Sequence, residues 1–206
     1  LNYIPPRITL NDEFGQSIQD VITTYKPVKV LDVGASSGEG TTRILNENGL
    51  QIWSIEVDPD RIAKFNEHYN GNDKVRLITE GSVDVFMTQE QLMWYYRAYP
   101  HWNCWKSLGY KEMKVWLTNN QRYSGQGVEK ALKDSGGFDM VILDGSPFTG
   151  VAELMKVYGT RIIVMDDVDD VKNYTPFLMM GNDYKLLKRS YYGNGYAIFI
   201  KNEQKG

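Results

Sequence analysis

The sequence predicts an α/β fold: a doubly wound, mostly parallel seven-stranded sheet with helices on both faces. Three observations carry this. Short β-branched and apolar runs alternate with helical stretches along the chain. Several runs end on a glycine or an acid, at the edge where such a sheet holds its ligand. The last two runs are separated by Gly193-Asn194-Gly195, so the sheet is expected to close with an antiparallel pair.

Residues 1–10 read as an extended arm, because Pro5 and Pro6 oppose a helix. Asn11 or Asp12 is placed to cap a helix through Tyr25, with Phe14, Ile18, Val21 and Ile22 on one face. Pro27 ends it. A first strand then runs to Val33, and a helix covers 41–48. The second strand is 51–56. Asp58-Pro59 supplies a cap and a first helical residue for a helix to Tyr69. Strands three, four and five are expected at 74–79, 138–143 and 161–165, and the closing pair at 184–189 and 196–201.

The chain of 206 residues is expected to form one domain. Its formal net charge of -3 makes it a poor non-specific binder of nucleic acid. A single cysteine, Cys104, excludes an internal disulfide and suits a reducing, cytoplasmic setting. No apolar run approaches the roughly 20 residues that span a bilayer. The opening LNYIPPR lacks the basic and apolar regions of a signal peptide.

The segment 83–137 is longer than one crossover helix requires. It carries Trp94, Trp102, Trp105 and Trp116 with Tyr95, Tyr96, Tyr99, Tyr110 and Tyr123. Two readings stand open: a satellite core under a long insertion, or an aromatic lid that receives the substrate.

The stretch 30–42 organises the chain. A buried strand runs into a turn holding Gly34, Gly38 and Gly40, and a helix opens at Thr41. Glycines let the backbone approach a ligand, and a helix start offers free N–H groups. Glu56 lies roughly twenty residues beyond the turn, the spacing at which an acid reaches the ribose hydroxyls of a nucleotide. The glycine spacing does not fit G-x-G-x-x-G, which disfavours a nicotinamide dinucleotide.

Asp144, Asp166 and Asp167 fall at the ends of strands four and five. Such a cluster repels itself and raises a member's pKa unless a cation screens it. Its hard oxygens would favour Mg²⁺, Ca²⁺ or Mn²⁺ over Zn²⁺. Alternatively these acids cap the following turns and face water.

The stretch 30–42 resembles motif I of the class I S-adenosylmethionine-dependent methyltransferases, and Ile55-Glu56-Val57-Asp58 resembles their second motif. Phe138 to Asp144, and Met165-Asp166-Asp167, resemble strands four and five of the metal-dependent O-methyltransferases, of the catechol and macrocin (sugar) types. The resemblance implies a Rossmann-like fold and S-adenosylmethionine held by Asp32, Gly34, Ala35, Ser36, Gly38 and Gly40. Glu56 and Val57 would hold the ribose end, and Gly81, Ser82 and Val83 would lie along the adenine. Asp144 would serve both cofactor and catalysis. Asp144, Asp166 and Asp167 would ligate Mg²⁺ or another divalent cation.

The base positions depart from the family. The catechol type has a lysine where this chain has Pro147, and the sugar type has an acid where it has Ser146. His68 is expected on the surface, and His101 is a weak candidate to reach the site. The expected activity is O-methylation of a small molecule or sugar with adjacent hydroxyls. The competing readings are a metal-independent methyltransferase acting on nitrogen, carbon or a macromolecule, and a nucleotide-binding module without chemistry.

Overall fold

The computed structural model describes residues 8–191 and 193–203. Residues 1–7 of the expected N-terminal arm lie outside the described residues. Among the described residues, seven strands form one sheet in the order β3-β2-β1-β4-β5-β7-β6. The strands are β1 (Lys29–Val33), β2 (Gln51–Ile55), β3 (Val75–Ile78), β4 (Met140–Leu143), β5 (Ile162–Asp166), β6 (Tyr184–Ser190) and β7 (Tyr196–Lys201). β1 to β5 pair in parallel, and β7 runs antiparallel to both β5 and β6. The mostly parallel sheet with its antiparallel closing pair is therefore as expected.

Helix α1 (Glu13–Tyr25) begins where the Asp12 carboxylate accepts a hydrogen bond from the Gly15 N–H at 2.7 Å. It ends at Lys26, which takes the left-handed conformation just before Pro27. Phe14, Ile18, Val21 and Ile22 are buried against one face of the sheet, with α2 (Thr41–Glu47) and Phe65 of α3 (Pro59–Tyr69). Asp58 caps α3 through the N–H groups of Asp60 and Arg61, with Pro59 in the first turn. β4 starts later than expected. The Asp139 carboxylate instead accepts from the N–H groups of Val28 and Lys29, tying the entry of β4 to that of β1.

Between β3 and β4 the chain forms α4 (Gln89–Ala98), α5 (Asn103–Ser107), α6 (Gly109–Asn120), a 3₁₀ turn at Gln121–Tyr123 and α7 (Gly127–Ser135). Val128 and Ala131 of α7 pack on the second face of the sheet, so α7 is the crossover helix the topology requires. The three helices before it build a separate core. Leu92, Tyr95, Trp102, Trp105, Met113 and Leu117 pack with Phe148 and Val171, which follow β4 and β5. α8 (Gly150–Val157) and α9 (Tyr174–Met179) complete the second face. No helix of the described residues is long and apolar enough to cross a membrane.

The sheet reverses its direction of growth between β1 and β4, and ligands of such sheets bind beyond the carboxyl ends of the strands at that point. Register does the rest. Val33 lies opposite Leu143, and Leu143 opposite Met165. The next residues along, Gly34, Asp144 and Asp166, are thereby brought side by side.

Candidate active site

Gly34 has a φ of 85°, and a Cβ there would lie 2.2 Å from the Asp144 carbonyl oxygen. Glycine is thus required by the close approach of two strand ends. The N–H groups of Gly34 and Ala35 donate to the Ile55 carbonyl, and that of Gly38 donates to Ala35. Ser36, in the left-handed region at φ 55°, donates its N–H to Glu56 Oε2 at 2.9 Å. Glu56 Oε1 accepts from the N–H groups of Val57 and Asp58 at 2.7 and 2.9 Å. Glu56 is buried at the end of β2, where the resemblance places the ribose acid. Oε2 keeps acceptor capacity for a further hydroxyl. Tyr69 donates to the Gly38 carbonyl at 2.7 Å, and its ring occupies the space a Cβ on Gly38 would need. Gly40 precedes the first turn of α2.

Asp32 is wholly buried and accepts from Thr42 Oγ1 at 2.6 Å and Thr41 Oγ1 at 3.0 Å. It pins the start of α2 to β1. Burial pushes its pKa up to about 6, opposed by the two threonine hydroxyls and reinforced by repulsion from Asp144 and Glu56. A folded pKa above the unfolded one means that the folded chain holds this proton more tightly. The stability that follows is fully present below about pH 4 and is lost as pH rises through about 6. Asp32→Asn should remove that slope. Urea unfolding should show the variant gaining on the parent, by on the order of 2–3 kcal/mol between about pH 4 and pH 7. Parallel pH profiles for the two proteins would contradict this.

The three acids converge as the strand ends require: one oxygen each from Asp144, Asp166 and Asp167 lies within 4.8 Å of the others. A residue that no motif of the sequence marks stands between two of them. Lys172 Nζ lies 2.6 Å from Asp144 Oδ1 and 2.6 Å from Asp167 Oδ2, with its side chain 14% exposed. Burial alone would push the Lys172 ammonium down. Asp144, Asp167 and Asp166 outweigh it and hold the ammonium well above the ordinary lysine value. Burial raises Asp144 despite Lys172. Burial and then the charges of Asp144 and Asp167 push Asp166 well above the carboxylate range. The donor set is hard and suits Mg²⁺, but an ammonium already bonds two of its three members. With Lys172 in place the residues do not fit a divalent ion.

Other expected site residues sit nearby in varied roles. Gly81 packs so closely on the Tyr123 carbonyl that a Cβ would overlap it. Ser82 donates to the buried Glu153 at 2.5 Å, and Val83 is buried in the sheet core. Pro147 is buried, and Ser146 donates to Asn120 Oδ1 at 3.3 Å. His68 is exposed beside Glu39, as expected. His101 is exposed too, with its ring near Tyr99. Of the two readings of the insertion, Trp102 and Trp105 follow the satellite core: both are buried in it. Trp94 and Trp116 are the exposed tryptophans there, and Trp116 meets Phe148 edge to face.

No protein-family model matches the chain. A solved O-methyltransferase from Bacillus cereus, in complex with SAH, superposes with a TM-score of 0.57 at 12% identity, over 96% of this chain and 84% of that one. The SAH-bound Podospora anserina methyltransferase PaMTH1 gives 0.53 at 14% identity, over 92% and 78%. The chain shares the fold of these methyltransferases. Glu56 and the Gly34–Gly40 loop thus stand at the β2 and β1 edges of a methyltransferase fold. In sequence, the ribosomal RNA small subunit methyltransferase A of Prochlorococcus marinus (strain MIT 9301) is 28% identical over 68 residues. The match spans 33% of this chain and 25% of that protein.

Proposed function

We propose that this chain is an S-adenosylmethionine-dependent methyltransferase that methylates an oxygen of a small molecule or sugar with adjacent hydroxyls. One observation carries the reading. The buried Glu56 carboxylate, with a lone pair to spare, stands at the β2 edge beside the tight Gly34–Gly38 turn, in a fold shared with SAH-bound proteins. Bound S-adenosylmethionine supplies an electrophilic methyl group. The chain's part is positioning. Glu56 would accept from the ribose hydroxyls, and Asp144 would take the acceptor hydroxyl at the neighbouring strand end and set its approach. The insertion, through Trp116 and Asn120 beside the loop after β4, would form one wall of the acceptor site.

Mg²⁺ at Asp144, Asp166 and Asp167 would suit the same chemistry, but only with Lys172 withdrawn. Methylation of RNA is the second reading. The local likeness to the Prochlorococcus marinus protein favours it, and the net charge of -3 opposes it.

Calorimetry with S-adenosylhomocysteine tests the cofactor reading. Glu56→Gln loses the charge and leaves one acceptor oxygen, so its amide NH2 faces either the Ser36 N–H or those of Val57 and Asp58. It should weaken binding by about 1–3 kcal/mol. Tight NAD binding without any response to S-adenosylhomocysteine would sink the proposal.

A further inference from the structure

Lys172 is fixed as surface lysines are not. Its neighbour Asn173 donates from Nδ2 to the carbonyls of Leu143 and Asp166, clamping the loop across the ends of β4 and β5. The N–H groups of Asp170 and Asn173 both turn back to the Asp167 carbonyl. Asp167 sits in the left-handed region at φ 53°, a conformation a non-glycine residue holds only when its surroundings impose it. The loop therefore delivers the ammonium and one of its two carboxylate partners together. The third acid, Asp166, brings one oxygen within 4.8 Å of the other two.

A divalent ion would have to enter beside that ammonium, within a set of oxygens all less than 4.8 Å apart. Mg²⁺ also demands near-octahedral ligands at roughly 2.0–2.1 Å. Two of the three acids already hold Lys172 Nζ at 2.6 Å. The two cations compete for the same lone pairs and repel each other in a poorly solvated site.

We propose that Lys172 is the resident cation of this site: a tethered ammonium between Asp144 and Asp167 that stands in for a divalent metal and positions Asp144. The inference deepens the methyltransferase reading by making the site independent of metal. As a positioning residue, Lys172 holds the Asp144 carboxylate in one orientation and screens it from Asp167.

The test is a Mn²⁺ titration of the full chain, followed by loss of the free-ion paramagnetic resonance signal, alongside thermal melts with Mn²⁺ and with EDTA. The parent should bind Mn²⁺ only weakly, with the same melting temperature in both. Lys172→Ala frees three acids and should bind Mn²⁺ tighter by roughly tenfold or more, with a matching rise in melting temperature. Adding Asp144→Asn should abolish that gain. A merely structural lysine would not create a metal site on removal. Tight Mn²⁺ binding by the parent that Asp144→Asn removes would overturn the proposal, as would no gain in Lys172→Ala. Where Lys172→Ala does not fold alone, Lys172→Gln replaces it, and the parent titration decides without any variant. S-adenosylhomocysteine affinity, measured on the same samples, judges the cofactor reading separately.

Discussion

Gly34→Ala should destabilise the chain by about 3 kcal/mol or more and remove S-adenosylhomocysteine binding with it. Two costs add. The residue holds a φ of 85°, which an L side chain adopts at about 1–2 kcal/mol. Its new Cβ would then lie 2.2 Å from the Asp144 carbonyl oxygen and 2.7 Å from the carbonyl carbon. Neither side can yield cheaply. The Gly34 N–H is bonded to the Ile55 carbonyl at 3.0 Å, and Asp144 donates its N–H to the Val33 carbonyl at 3.0 Å. Relief requires the ends of β1 and β4 to part, which moves both the glycine turn and Asp144. Gly71 supplies the control. It has a φ of 81° and nothing within 4 Å of its absent Cβ. Gly71→Ala should therefore show the conformational cost alone, about 1 kcal/mol, with cofactor binding intact. Equal losses of stability in urea unfolding would show that the steric argument for Gly34 is wrong.

The central strands were legible because they are buried on both faces. Val30 to Val33, Ile52 to Ile55, Val141 to Leu143 and Ile162 to Met165 are nearly unbroken apolar runs that no surface helix would carry. Asp12 and the pair Asp58-Pro59 were legible for a local reason: a cap needs only its own first turn. The three acids followed from the same strands, since register alone sets Asp144 beside Asp166. Lys172 was hidden because its neighbours in sequence are charged and polar. Asp169, Asp170, Lys172 and Asn173 read together as a solvated loop. What buries the lysine is the long-range bond from Asn173 to the Leu143 carbonyl in another strand. Gly81 was expected along the adenine, but what crowds it was not legible. The carbonyl that forbids it a side chain belongs to Tyr123, on the far side of the insertion. Within the insertion, residue type could not tell Trp102 from Trp116. Their difference comes from how three short helices fold back on one another, and no period of the sequence encodes that.

Trp102→Ala should cost about 3–5 kcal/mol, as deletion of a large buried aromatic does. Trp102 is 6% exposed and stacks on Tyr99 with ring centroids 4.4 Å apart and planes 5° from parallel. Tyr174 meets its edge at 5.1 Å and Tyr95 lies at 5.6 Å. Removing the indole leaves three rings facing a void that short helices cannot close. The loss should be local first. The core of the insertion is separate from the two sheet cores, so its opening does not require the sheet to open. Hydrogen exchange should therefore quicken in α4 to α6 while the amides of β1 and β4 stay protected. Trp116→Ala is the comparison, since Trp116 is 41% exposed and touches Phe148 edge to face. It should cost about 1 kcal/mol or less. If Trp102→Ala left stability unchanged and raised only the acceptor KM, Trp102 would be part of the substrate surface after all. The effect should also reach the site. Phe148 follows the strand that carries Asp144, while Val171 and Tyr174 flank Lys172, and all three pack on the insertion. An insertion that opens frees both loops, so Trp102→Ala should weaken the hold of Lys172 on Asp144 without touching either residue.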